Sequence, residues 1–355
     1  ALMRLEAWDE AVAVLDAFRE AHPDHALHGE ATKQLANLHR QQGELERAAV
    51  EYERIASEDE EARHEALLAA GELYEEAGVF ARAIAVYQEY VERYPEPLEL
   101  AVETRFKIAV LHDSLGDENG RLAQLRWIVD SDRAAGAGRT DRIRYLAARS
   151  ALVLTEGHHD RFTDVKLVQP FEKSLAEKQR MMELSLSAFG SLVDYEVGEV
   201  TAAATFYMAE TYRDFSEALL GSERPTDLSQ SDLLDYELVL EEEAYPFEEQ
   251  AIEVHEKNLE LMSAGVYNRW IEKSLSRLGE LMPGRYAKFE ESSGLIASVD
   301  RYAYQAPKPP APEAAGPASD SSDPDPAQES ELPNDPDPET VRPPGNSDGA
   351  VMAEG

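Results

Sequence analysis

Gly71-Glu72-Leu73-Tyr74-Glu75-Glu76-Ala77-Gly78-Val79-Phe80-Ala81-Arg82-Ala83, followed by Tyr87, Tyr90 and Pro95, places two helical patterns on either side of a glycine turn. Apolar residues recur here at spacings of three and four, the period of one helix face. Gly78 stops the first helix and Pro95 ends the second. Gly71 and Ala83 are small enough to let the two helices cross closely, and Tyr74, Phe80 and Tyr87 have the bulk to fill the space between adjacent pairs.

The pattern recurs on both sides. Upstream by 35 residues, Leu35, Ala36, Gly43, Leu45, Ala48, Tyr52 and Ile55 hold the corresponding positions. Downstream by 38 residues, Ile108, Ala109, His112, Gly116, Leu125 and Ile128 do so, with Arg121 in place of the small crossing residue. Trp8, Ala11, Leu15, Phe18 and Pro23 fit a second helix alone. This resembles the tetratricopeptide repeat, a helix-turn-helix unit of about 34 residues that stacks into a superhelix. The expected fold is all-α, an α-α superhelix of this type over 1–135 with one partial and three complete units. The start, Ala1-Leu2-Met3-Arg4-Leu5, reads as the middle of an amphipathic helix, so the chain is expected to be a fragment of a longer one.

Longer, degenerate helix pairs are expected over 136–304. First helices are predicted at about 140–156 and 196–219. Second helices are predicted to open at Gln169-Pro170-Phe171-Glu172 and Tyr245-Pro246-Phe247-Glu248, each with Pro in a first turn. An insertion at 221–244 is expected to project, and a helix from Tyr267 to Leu281 to close the array. Residues 305–355 hold 12 of the 19 prolines and 11 acidic against 2 basic residues, so they read as a disordered Pro/Asp-rich acidic tail.

Charge and composition narrow the function. With 71 acidic and 34 basic residues the net charge is -37, which opposes binding to nucleic acid or to an anionic lipid surface. No apolar run is long enough for a membrane span. The chain holds no cysteine, so thiolate metal sites and thiol nucleophiles are excluded from these residues. His158-His159-Asp160, expected in a loop, lacks further ligands at useful spacing. Glu75-Glu76 and Glu241-Glu242-Glu243 read as solvated helix faces. No phosphate loop, nucleophile elbow or zinc-protease helix occurs. Neither a cofactor nor a metal is expected, and the chain is not expected to be an enzyme. Tyr74, Tyr87, Tyr90, Phe206, Tyr207 and Tyr212 are expected in the core.

The resemblance implies that first helices line a groove for a partner. The groove-facing positions are Lys33, Asn37 and Arg40 in one unit, Glu65, Leu68, Glu72 and Glu75 in the next, then Glu103, Phe106, Lys107, Val110 and Asp113. Lys33, Asn37 and Lys107 also fall on three positions of the family's carboxylate clamp, with Ala69 and Glu103 on the other two. The expected partner is a protein or peptide segment, basic or extended. The implied role is a non-catalytic scaffold of a bacterial cell-envelope assembly, transport or motility machine, in the periplasm. Alternatives are a cytoplasmic chaperone-like or regulatory adaptor, or the recruiting arm of an enzyme whose catalytic domain lies upstream of this fragment.

Overall fold

The computed structural model describes residues 7–287, so the expectations for 1–6 and for the 305–355 tail lie outside the described residues. Five helices of equal length come first: α1 (Trp8–Ala21), α2 (His28–Gln41), α3 (Leu45–Glu58), α4 (Arg63–Glu76) and α5 (Phe80–Arg93). Helices then lengthen through α6 (Leu98–Ser114), α7 (Glu118–Ala134), α8 (Asp141–Asp164), α9 (Phe171–Gly190), α10 (Gly198–Leu220) and α11 (Gln230–Glu260). The shorter α12 (Arg269–Leu281) and the single turn α13 (Pro283–Tyr286) follow. Among the described residues there is no strand.

Each of α2, α4 and α6 ends in the same way. Gly43, Gly78 and Gly116 adopt φ of 76°, 74° and 71°, the left-handed conformation that favours glycine. The next residue's N–H then reaches back to an orphan carbonyl: Glu44 to His39 at 2.9 Å, Val79 to Tyr74 at 2.8 Å and Asp117 to His112 at 2.9 Å. Of the later helices, α8, α11 and α12 begin on side-chain caps. Thr140 accepts from the Ile143 N–H, Ser229 from Asp232, and Asn268 from Trp270 and Ile271.

The core runs along the array as a chain of clusters. The first joins Ala36, Ala48, Tyr74, Ala83, Tyr87, Tyr90 and Ile108, and the next takes in Val102, Ile128, Ile143 and Leu146. Ala48 and Ala83 are completely buried, as are Ala36 and Ala70 on the facing first helices. The expected aromatic core holds for Tyr74, Tyr87, Tyr90 and Phe206, while Tyr207 and Tyr212 are partly exposed.

Tyr87 is seated differently from its expected place between pairs. A Cβ on Gly71 would lie 2.3 Å from the Tyr87 Cε1, so the ring fills the space left by Gly71 within its own helix pair. Glycine is needed there to admit a phenol ring, and not merely to let two backbones cross. Arg121 also departs from a crossing residue: its guanidinium turns out to Asp113 at 3.4 Å and Glu118 at 3.1 Å.

Residues 221–244 do not form a projecting insertion. Pro246 does not open a helix; it lies inside the 31-residue α11, which starts at Gln230. Leu240 and Ala244 anchor the first half of that helix, so only 221–229 is a connecting loop. The loss of one backbone donor at Pro246 is tolerated because burial of Ala244, Ala251, His255 and Asn258 on the same helix holds both halves in line.

Candidate partner-binding groove

None of the twelve groove residues is buried. Lys33, Asn37, Arg40, Glu65, Glu72, Val110 and Asp113 are exposed, and Leu68, Glu75, Glu103, Phe106 and Lys107 are partly exposed. Helix periodicity accounts for this, since Leu35, Ala36, Leu67, Ala70, Ile108 and Ala109 occupy the opposite faces of α2, α4 and α6.

The structure brings Lys33, Asn37 and Glu65 together. They rim an open depression of about 410 Å³ between α2, α3 and α4, with Tyr52 and Ala69 in its wall. Lys33 Nζ donates to Asp59 Oδ2 at 3.1 Å. The Ala62 N–H and the Lys33 ammonium hold the Asp59 carboxyl below the usual carboxylate range.

Further along, Glu72, Glu75 and Glu103 of the groove each have a partner within this chain. Lys107 Nζ lies 3.0 Å from Glu72, Arg142 Nε 2.5 Å from Glu103, and the Tyr87 hydroxyl donates to Glu75 at 3.1 Å. Burial, followed by the Glu75 charge, pushes the Tyr87 phenol up. Arg149 stacks over Phe106 at 5.4 Å. Lys33 and Lys107, two of the positions of the implied carboxylate clamp, each face a carboxylate of this chain. Such exposed pairs are worth only about 0–1 kcal/mol and can be exchanged for a partner's charges.

Sequence reasoning missed a buried polar network joining α10, α11 and α12. Glu210 is 6% exposed and accepts from Arg277 Nε at 2.9 Å and Nη2 at 3.0 Å, with Arg213 at 3.2 Å. His255 Nε2 lies 3.3 Å from Glu210, and His255 Nδ1 lies 3.1 Å from Ser274 Oγ. Burial alone would raise the Glu210 carboxyl; the nearby His255 ring and the hydrogen bonds from Arg277 outweigh it and bring the pKa down to about 2. Ser274, His255 and Glu210 stand in the order of a hydrolase triad, but Ser274 and His255 are completely buried and Ser274 already accepts from Asn258 at 2.8 Å. No substrate carbonyl can reach the hydroxyl. The signal was absent from the sequence because these residues come from three helices far apart along the chain.

His158 and His159 lie on α8, not in a loop. His159 faces Thr211 at 3.3 Å and Asp214 at 3.5 Å, and burial lowers its pKa. Among the described residues no group of three or more His, Asp or Glu could hold a metal ion. Lys178 is buried at 2% exposure, donates to the Phe162 carbonyl at 2.8 Å near the end of α8, and has its pKa lowered to about 8, chiefly by burial. Among the described residues no helix is long and apolar enough to cross a membrane.

Residues 65–97, which take in nearly all of α4 and the whole of α5, match the model of the tetratricopeptide repeat family. No curated protein sequence matches the chain. Among solved structures, a tetratricopeptide repeat protein from Parabacteroides merdae ATCC 43184 is 18% identical, covering 78% of this chain and 93% of that one, with a TM-score of 0.30. The matched unit carries Gly71, the turn at Gly78 and the buried Tyr74 and Ala83, so over residues 65–97 the chain is similar to a tetratricopeptide repeat.

Proposed function

We propose that the chain is a protein-interaction scaffold, without chemistry of its own, that holds an extended protein segment along its first helices. The carrying observation is the depression rimmed by Lys33, Asn37 and Glu65, three residues on successive first helices that the core leaves free to face solvent. Asn37 can bond a segment's backbone, Glu65 can pair with its Lys or Arg, and Lys33 can exchange Asp59 for a carboxylate of the partner. This fold generally serves as a non-catalytic scaffold, and the completely buried Ser274 and His255 are in keeping with that. For its setting we propose the bacterial cell envelope. That setting rests on the resemblance of the tail and the long later units to envelope repeat proteins, and cell fractionation tests it.

A photo-crosslinking residue at Asn37 or Glu65, in the cells that make the protein, should trap a discrete protein adduct. The same residue at Arg47, 70% exposed on the second helix α3, should not. Equal trapping at all three positions would refute the groove.

A further inference from the structure

We infer that the first half of α11 is a second docking surface, built for an amphipathic helix of another protein that has Lys or Arg along both edges of its apolar seam. This surface is independent of the groove and stands or falls apart from it.

The overhang comes from helix register. Asn258 Nδ2 donates to the Ala202 carbonyl at 3.0 Å and the rings of Phe215 and Phe247 lie 4.5 Å apart, so α11 runs antiparallel to α10. Carried on, that register brings Leu240 level with the end of α10 at Leu220. Residues 230–239 therefore run past α10 by about 15 Å, at roughly 1.5 Å per residue. Leu240 and Ala244 face inward, whereas Leu234, Leu238 and Tyr245 are 64%, 56% and 58% exposed.

Those three residues form one stripe. Their spacings of four and seven keep them within about 40° on a helix turning 100° per residue, the seam geometry of helix pairing. Lone exposed leucines are ordinary, but an aligned set is the kind of patch that marks an interaction site. Asp235 and Glu242 edge the stripe on one side, Glu241 and Glu248 on the other. Between Gln230 and Gln250 there are eight carboxylates and no Lys or Arg. That charge selects the occupant. A second copy would oppose acid to acid along both edges, and the chain's own 305–355 segment, with eleven acidic residues, is repelled in the same way. A basic-edged helix satisfies seam and edges together.

The probe is a synthetic three-heptad peptide with Leu along the seam and Lys along both edges, titrated into the full chain by fluorescence anisotropy. Two controls accompany it, one with Glu edges and one with the same composition but scrambled Leu spacing. The Lys-edged peptide should bind and both controls should not. Leu234→Ser with Leu238→Ser should weaken binding at least about tenfold, and Glu241→Lys with Glu242→Lys should do so without touching the apolar residues. Glu65→Lys, in the groove, should leave it unchanged. Binding that survives both pairs of substitutions, or equal binding of the scrambled peptide, overturns the inference. So does self-association of the chain that is lost in the Leu234→Ser, Leu238→Ser variant, since the occupant would then be a second copy.

Discussion

Gly71→Ala tests whether the helix pair is locked by one ring. In an exposed helix this change would stabilise by about 1 kcal/mol, because alanine has the better helix propensity. Here the new Cβ would lie 2.3 Å, 2.7 Å and 2.8 Å from three atoms of the Tyr87 ring. Carbon atoms settle at about 3.5–4.0 Å, so the ring must retreat by more than about 1 Å. It has little room to do so, being completely buried and held by its hydrogen bond to Glu75. Overpacking in a filled core costs about 1–3 kcal/mol, and this contact belongs in the upper half of that range. The expected net loss is about 1–2 kcal/mol, read as a lowered urea midpoint at unchanged slope. In a Tyr87→Leu background the obstruction is gone, and Gly71→Ala should become stabilising by about 1 kcal/mol. A sign reversal of this kind is a coupling of about 2–3 kcal/mol in a double-mutant cycle. If Gly71→Ala stabilises the wild-type chain as well, the ring is not seated as described.

Glu210→Gln should cost about 3 kcal/mol or more, since it leaves Arg277 and Arg213 without their buried carboxylate; a melting curve shifted by less than a degree would refute this. In the wild-type chain the depressed Glu210 pKa supplies stability that is present above about pH 4.5 and is lost as the pH falls towards about 2, and an acid titration of the Gln variant should lack that component. Lys178 has a linkage of the same sign in an alkaline window, although there the fold favours the neutral form: its folded pKa of about 8 lies below its ordinary value of 10.5, so the folded state gains stability as pH rises through that window. Against a Lys178→Met variant, wild-type stability should rise between about pH 8 and 10.5, and parallel pH profiles would refute the assignment. Pro246→Ala should restore a backbone donor within α11 and raise the melting temperature, by up to about 3 kcal/mol of stability; a fall would mean that α11 docks only through a bend at that residue.

The repeats were legible because each local signal agreed with its neighbours. Gly43, Gly78 and Gly116 mark turns, and the small and aromatic residues around them fall on a single helical period. Proline misled at Pro246 because a first-turn preference cannot be told from a tolerated interior proline without knowing what the helix packs on. Tyr87 misled because residue size predicts burial but not the side of the helix pair that receives it. The groove residues could be placed on a solvent face by periodicity alone. Their ion pairs could not, since Lys33–Asp59 and Lys107–Glu72 join residues 26 and 35 positions apart. The Glu210 network had no sequence signature at all, for its members are isolated polar residues on otherwise apolar helix faces.

The three glycine turns also set where the chain can absorb length. The Gly43 and Gly78 turns are 35 residues apart and the next is 38 further on, yet all three have the same backbone conformation and the same back-reaching hydrogen bond. The three extra residues have therefore not gone into the turn. One residue added between Gln42 and Glu44 would put the following helix out of phase by about 100°, turning Ala48 and Ile55 away from the core. Three or four residues added to the far ends of a helix pair complete about one turn and leave the crossing in phase. Tolerance to insertion is thus directional in this chain: the glycine edge of the array acts as a fixed datum, and growth is confined to the opposite edge.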